Sequence, residues 1–168
     1  YLDVKPKGEV IPKTAEEFAA LLNSHLSEID DGYDDAILGN AMEKLEFECF
    51  SDNVENSLTK NVVGMGAIPK YVGDRLNSFK SEYEKLYALI RNCNLVIHEM
   101  KETDTEMAKA CYATAYTLRG VAYYNLMRLF CEPYNKQKAD EQLGLSIVTR
   151  FDMEARPKRS SLQEVVSL

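Results

Sequence analysis

Four residues of one long loop could bind a ligand, because together they offer an aromatic ring and polar groups. The loop spans residues 51–74 and carries Asp52, Asn53, Lys70 and Tyr71. A tyrosine presents a flat apolar face, which suits a sugar ring, and a hydroxyl that can form hydrogen bonds. Loops of this length in compact domains are often functional. Asp52 and Asn53 also have a common structural role, which is to turn or cap the backbone, so both interpretations stay open.

No group of residues indicates catalysis or a resident metal. The two histidines, His25 and His98, lie far apart, and none of the four cysteines forms a CxxC pair. These spacings fit neither a zinc site nor a nucleophile with its base. Residues 30–35 (DDGYDD) resemble the start of a calcium loop, but the required glycine and glutamate are missing. We therefore expect no enzyme activity, no metal and no cofactor.

Composition narrows the class of protein and of partner. The chain has 168 residues, 45% of them hydrophobic and 28% charged, with a net charge of −7. These values are typical of one globular domain. The acidic balance argues against nucleic acid as a partner, since phosphate binding requires a basic surface. We expect the cysteines on apolar helix faces, Cys93 and Cys111, to be buried free thiols.

The first third of the chain predicts an extended lead-in, a helix and a weaker second helix. Prolines and a glycine within residues 1–13 argue against a helix there. Thr14 and Glu17 have the spacing of a capping box, which starts a helix with Phe18 and Leu22 on its buried face. A short helix over residues 39–50 would precede the long loop.

Two long helices are the strongest predictions. Residues 76–100 place an apolar side chain at alternating intervals of three and four, which marks one face of a helix. Thr103 and Glu106 suggest a capping box for the next helix, which cannot continue through Pro133. The short gap between these helices predicts an antiparallel hairpin.

The second long helix has two stripes, so we expect it to pack on two sides. One stripe is apolar, and the other is rich in tyrosine and contains Arg119, which must be paired if it is buried. We expect a carbonyl or carboxylate of a neighbouring helix as the partner of Arg119, and core packing for the tyrosines; ligand binding is the lesser alternative for both. The stripes are Cys111, Ala115, Leu118, Ala122, Leu126 and Leu129, and Tyr112, Tyr116, Arg119, Tyr123, Met127 and Phe130.

The remainder predicts an irregular arm over residues 132–159, with a short extended piece at residues 145–149. Ser160 or Ser161 would then cap a helix that starts within residues 160–168, either frayed or docked on the hairpin. Lys158 and Arg159 would form a solvated basic patch. Of the polar mid-helix pair Asn92 and Asn94, one is expected to hydrogen-bond the backbone of a loop. Stacked helical hairpins with a two-sided helix predict an all-α fold.

Four segments, in this order, resemble the SusD/RagB family of nutrient-binding outer-membrane lipoproteins. The opening YLDVKPKGEVIPKTAEEFAALLN is similar to the family's mature N-terminus. IRNCNLVI and LRGVAYYNLMRLF resemble two of its helices. GLSIVTRFDMEARPKRSSLQEVV resembles its arm and the start of the next helix. The similarity covers nearly the whole of residues 1–168 and corresponds to the N-terminal part of the longer family members.

The resemblance implies truncated, tetratricopeptide-like helical hairpins and a non-catalytic binding function. The expected ligand is a glycan or another nutrient, and the expected partner is a SusC-like TonB-dependent transporter. The expected location is the outer face of the outer membrane, with attachment only through an N-terminal lipid that is not part of this chain. An exposed apolar face could also support a homodimer.

Two departures from the family pattern bear on these expectations. Tryptophan, a common sugar platform in the family, is absent, and Cys131 and Glu132 replace the usual glycine after the long helix. A soluble helical-repeat scaffold that binds a protein or peptide is the alternative function.

Overall fold

The computed structural model describes residues 12–31, 80–152 and 154–168, and the architecture below refers to these ranges. Most of residues 1–13, the helix expected at residues 39–50 and the loop at residues 51–74 lie outside them. The described part is mainly helical, as predicted, but it also contains a two-stranded antiparallel ribbon. None of its helices is long and apolar enough to cross a membrane.

Helix α1 spans Ala15–Asp31 and begins at the predicted capping box. The Glu17 amide donates to Thr14 Oγ1 (3.3 Å), and the Thr14 amide donates to Glu17 Oε2 (3.4 Å). Ala15, Phe18 and Leu22 are buried against the rest of the core. The capping box thus fixes where the helix starts and which face points inward.

Helices α2, Lys80–Glu99, and α3, Glu106–Phe130, form the predicted antiparallel hairpin. Side chains near the end of α2 meet the start of α3, and those near its start meet the end of α3. The Tyr112 hydroxyl donates to the Met100 carbonyl (2.6 Å), and Tyr83 packs edge-on against Phe130 with ring centroids 5.1 Å apart.

The predicted capping box at Thr103 and Glu106 is wrong. Thr105 is the N-cap of α3, and its hydroxyl accepts a hydrogen bond from the Ala108 amide (3.2 Å). The Thr103 hydroxyl instead donates to Asp104 Oδ1 (3.2 Å). Both threonines could cap a helix chemically, and the one with the extended backbone next to the first helical residue does so.

The segment after α3 contains more regular structure than the predicted irregular arm. Strand β1, Leu143–Ser146, pairs antiparallel with β2, Arg159–Ser161. The Arg159 side chain donates to the carbonyls of Gly144 (2.7 Å) and Leu143 (3.3 Å). Arg159 therefore holds the ribbon together and is not the purely solvated charge that we expected.

Helix α4, Leu162–Val166, follows the ribbon directly and is docked, not frayed. Ser161 is its N-cap, and Glu164 completes the capping box. Of the two predicted caps, Ser160 and Ser161, the second is therefore confirmed. Leu162 and Val165 are buried, and the Leu162 amide donates to the Gln142 carbonyl (2.8 Å). The cap and these contacts stabilise a helix that is too short to persist alone.

The core lies where α1, α2 and α3 meet, and the arm covers one side of it. Cys93 and Cys111 are buried free thiols, as predicted. The first stripe of α3 is buried from Cys111 to Leu126, and Leu129 is partly buried. Leu89 and Val96 on α2 are also buried, although they lie beside the predicted stripe, because α1 and the arm widen the covered face of that helix.

Candidate ligand-binding groove

The four loop residues predicted to bind a ligand lie outside the described residues. Asp52, Asn53, Lys70 and Tyr71 therefore remain predictions, and the structure brings together a different set of side chains. This set lies on α3 and is positioned by a buried polar network.

Asn94, in the middle of α2, is the centre of that network and is fully buried. Its Nδ2 donates to the Val148 carbonyl of the arm (2.9 Å), and its Oδ1 accepts from Arg119 Nη1 (2.9 Å). This confirms that one of the two asparagines hydrogen-bonds a loop backbone. It also identifies the partner of Arg119 as a side-chain amide of the neighbouring helix.

Tyrosine hydroxyls fasten the same stretch of the arm. Tyr123 donates to the Val148 carbonyl (3.1 Å) and accepts from the Val148 amide (2.7 Å). Tyr87 donates to the Ser146 carbonyl (2.9 Å). With His98 Nε2 at 2.7 Å from the Thr149 carbonyl, these contacts give the backbone of residues 146–149 polar partners on both long helices. Paired polar groups of this kind can be buried at little net cost.

Burial keeps these hydroxyls protonated. It raises the pKa of Tyr87 above its ordinary range, and the neighbouring Tyr83 raises it further. Burial also raises the pKa of Tyr123, against the opposing effect of its backbone hydrogen bond to Val148. At neutral pH both residues therefore remain hydrogen-bond donors to the arm.

Arg119 is held between Asn94 and Tyr116 and opens onto a groove. Its guanidinium carbon lies 5.2 Å from the centre of the Tyr116 ring, within the range of a cation–π contact. Arg128 lies similarly over Tyr124, at 5.7 Å. Each exposed tyrosine on this face of α3 is thus paired with an arginine one turn further along the helix.

The groove has a volume of about 370 Å³ and runs along α3 to the end of α4. Its α3 wall extends from Tyr116 to Met127, or about 16 Å at the rise of an α-helix. The other wall is aliphatic. The lining residues are Tyr116, Arg119, Gly120, Tyr123, Tyr124, Met127, Val165, Val166 and Leu168.

The expected burial of the tyrosine stripe is wrong for part of this face. Tyr123 is buried against the arm, whereas Tyr116 is 54% exposed. Tyr124, which is outside the stripe, is 56% exposed. The helical period correctly placed these side chains on one face, but the arm covers that face only near Tyr123. No local signal in the sequence tells where a later segment covers a helix.

The described residues contain no group of three or more histidine, cysteine, aspartate or glutamate side chains able to hold a metal ion. Burial raises the pKa of Cys93 to about 12, although Arg119 acts in the opposite direction. A thiol with such a pKa is protonated at neutral pH and is a poor nucleophile. What the groove can offer is apolar contact, aromatic faces and two cations.

Comparison with known proteins identifies the family. No curated protein sequence matches the chain. A family model described as "Starch-binding associating with outer membrane" matches residues 1–167. The match includes the loop at residues 51–74, the helical hairpin and the arm, and it agrees with the mainly helical architecture. The chain therefore belongs to the SusD-like family, whose members bind glycans at the cell surface in association with the outer membrane.

Proposed function

We propose that this chain captures glycans outside the cell and passes them, unmodified, to a SusC-like TonB-dependent transporter. The observation that carries the proposal is the match of residues 1–167 to a family model. The proteins of that family are described as starch-binding and associated with the outer membrane. In this proposal the protein is a surface-exposed lipoprotein, held to the membrane by a lipid at an N-terminus upstream of Tyr1.

The proposed ligand contacts are the four residues of the long loop. Tyr71 would stack on a sugar ring, and Asp52, Asn53 and Lys70 would hydrogen-bond its hydroxyls. The assignment rests on the suitability of these groups for sugars and on their common loop. Binding of this kind requires neither a nucleophile nor a metal.

A glycan array followed by titration calorimetry tests the loop assignment. We expect the wild-type chain to bind starch-derived oligosaccharides and the Tyr71→Ala variant to bind them at least about tenfold more weakly, because stacking of an aromatic ring is lost. Tyr134→Ala is the matched control, since Tyr134 is 44% exposed and its hydroxyl contacts Gln163 on α4. Equal affinity of Tyr71→Ala and wild type would remove Tyr71 from the site.

A further inference from the structure

A cleft lies where the end of α3 meets the turn at residues 136–142 and the ribbon of the arm. It has a volume of about 490 Å³, which is within the range of about 300–1,000 Å³ that is usual for small-molecule sites. All of its lining residues fall between positions 130 and 159, so the cleft is built by the arm and the end of α3. Apolar and charged side chains share its surface, which suits a polar ligand that also has an apolar face.

The apolar part of the cleft consists of Phe130 and Leu143. The Phe130 ring packs edge-on against Tyr83, with ring centroids 5.1 Å apart, so its orientation is restricted before a ligand binds. Leu143, the first residue of β1, is 63% exposed. Together they form a ledge on which the C–H face of a sugar ring can rest.

Arg159 and Glu132 bring a fixed donor and a fixed acceptor to the same cleft. The Nε and Nη2 groups of Arg159 are held by carbonyls of β1, at 2.7 and 3.3 Å, and further N–H groups of the guanidinium remain for a ligand. Glu132 is oriented by Gln142, whose Nε2 donates to Glu132 Oε2 (3.2 Å) and to the Pro133 carbonyl (3.1 Å). Side chains that are already ordered lose less conformational entropy on binding.

The charges that line the cleft are balanced. Two of the lining side chains are carboxylates, Glu132 and Glu141, and two are cations, Lys138 and Arg159. Within the described part of the chain, the Lys138 and Glu141 side chains form no hydrogen bond or ion pair. An ion of either sign would therefore meet like charge as well as opposite charge, whereas the hydroxyls of a sugar can donate to carboxylates and accept from cations.

We propose that this cleft is a second glycan site, which binds an uncharged sugar unit. The apolar face of the sugar lies on the ledge, and its hydroxyls lie between Glu132 and Arg159. The proposal rests on the glycan-binding function proposed above and adds a site outside the loop at residues 51–74. Its carboxylate is particular to this chain, because Cys131 and Glu132 stand where the family pattern has a glycine, which offers no side chain to a ligand.

Nuclear magnetic resonance of the ¹⁵N-labelled chain, titrated with maltotriose, tests the site residue by residue. We expect saturable shifts of the backbone amide signals of Gln142, Leu143 and Arg159. Glu132→Gln keeps an oxygen for Gln142 but loses the charge, so the affinity of the cleft should fall by about tenfold, the effect of a weakened hydrogen bond to a charged group. Glu154→Gln, an exposed change in the arm outside the cleft, is the matched control and should leave the affinity unchanged.

Two further variants separate the ledge and the loop. Leu143→Ala should fold, because this side chain is largely exposed, and should weaken binding to the cleft by about threefold through the loss of apolar contact. Tyr71→Ala should remove the shifts of the loop at residues 51–74 and leave those of the cleft.

The outcomes distinguish this site from the loop. Unchanged cleft affinity in Glu132→Gln, or shifts confined to residues 51–74, would overturn the second site and leave the loop assignment standing. If Tyr71→Ala keeps every shift of the wild type, the loop assignment fails and the cleft stands. Tighter binding of the cleft to a glucosamine trisaccharide, trigalacturonate or trialanine than to maltotriose would also overturn the proposal, since the site would then select a cation, an anion or a zwitterion.

Discussion

Asn94 links the helical hairpin, the arm and the groove through one side-chain amide. Its oxygen orients Arg119, and its nitrogen binds the arm at Val148. Replacement by leucine keeps the volume but removes both hydrogen bonds: Arg119 loses this acceptor, and the Val148 carbonyl keeps the Tyr123 hydroxyl as a donor. We expect Asn94→Leu to reduce the free energy of unfolding by about 1.5–3 kcal/mol, the range of a hydrogen bond to a charged group.

Denaturant unfolding followed by circular dichroism measures this loss. Asn92→Leu is the control, because Asn92 is only partly buried and its amide lies 2.9 Å from His25 Nε2. We expect a loss of under about 1.5 kcal/mol there, the usual range of one hydrogen bond. Equal losses for the two variants would show that the network at Asn94 is no more important than an ordinary surface contact.

Sequence reasoning predicted some residue roles and missed others for identifiable reasons. The helical period placed Cys93, Cys111 and the apolar stripe of α3 correctly, because burial follows the face of a helix. It did not reveal that Glu82 is buried: this residue is 6% exposed, and its Oε1 lies 3.5 Å from Lys85 Nζ. It could not separate the buried Tyr123 from the exposed Tyr116, because their difference depends on contacts with residues 146–149, which are remote in sequence.

The ribbon of the arm depends on a close approach at Gly144. A Cβ atom there would lie 2.6 Å from the Ser161 carbonyl oxygen and 2.8 Å from Val165 Cγ2. The first of these atoms belongs to the backbone, so the strands would have to separate. We expect Gly144→Ala to reduce the free energy of unfolding by about 1–3 kcal/mol, as overpacking does.

The same substitution at Gly120 is the matched control. The open space around Gly120 predicts a gain of up to about 1 kcal/mol for Gly120→Ala, from helix propensity alone. Thermal unfolding of the two variants side by side gives the comparison. A Gly144→Ala variant as stable as wild type would contradict the close contact between β1 and the start of α4.

The arm should detach from the hairpin at alkaline pH. Burial raises the pKa of Tyr87 and Tyr123 above the ordinary value of about 10. Because the protonated form is favoured in the folded state, the stability that these residues contribute is complete below about pH 10 and is lost as the pH rises further. Near-ultraviolet circular dichroism and tyrosinate absorbance should show this loss.

A variant with phenylalanine at both positions tests whether these hydroxyls are responsible. Tyr87→Phe with Tyr123→Phe should be less stable at neutral pH, since the Ser146 carbonyl and the Val148 amide lose their partners, and its stability should decline less above pH 10. An unchanged alkaline transition in this variant would mean that other groups control it.

At the scale of elements, the sequence predicted the helices better than the arm. Alternating spacings of three and four and the capping boxes at Thr14 and Ser161 are local signals, and they located α1, the α2–α3 hairpin and the start of α4. The extended piece predicted at residues 145–149 overlaps β1, but β2 and the pairing of the two strands were missed, because this pairing joins residues 143–146 to residues 159–161 across an intervening segment. Such pairing leaves no period in either short strand.

For the molecule as a whole, the order of four sequence segments indicates the family, and the family model over residues 1–167 confirms it. The predicted ligand contacts have no comparable support. The loop residues proposed for the sugar were chosen by chemistry alone, whereas the groove on α3 is visible only from the exposure of Tyr116 and Tyr124.

The proposed function requires that this chain binds glycan without changing it. Titration calorimetry of the wild-type chain with starch-derived oligosaccharides, followed by chromatography of the same samples, tests both parts at once. We expect saturable binding and oligosaccharides of unchanged length after prolonged incubation. Absence of binding across starch and the other glycans of the array, or the appearance of shorter oligosaccharides, would contradict it.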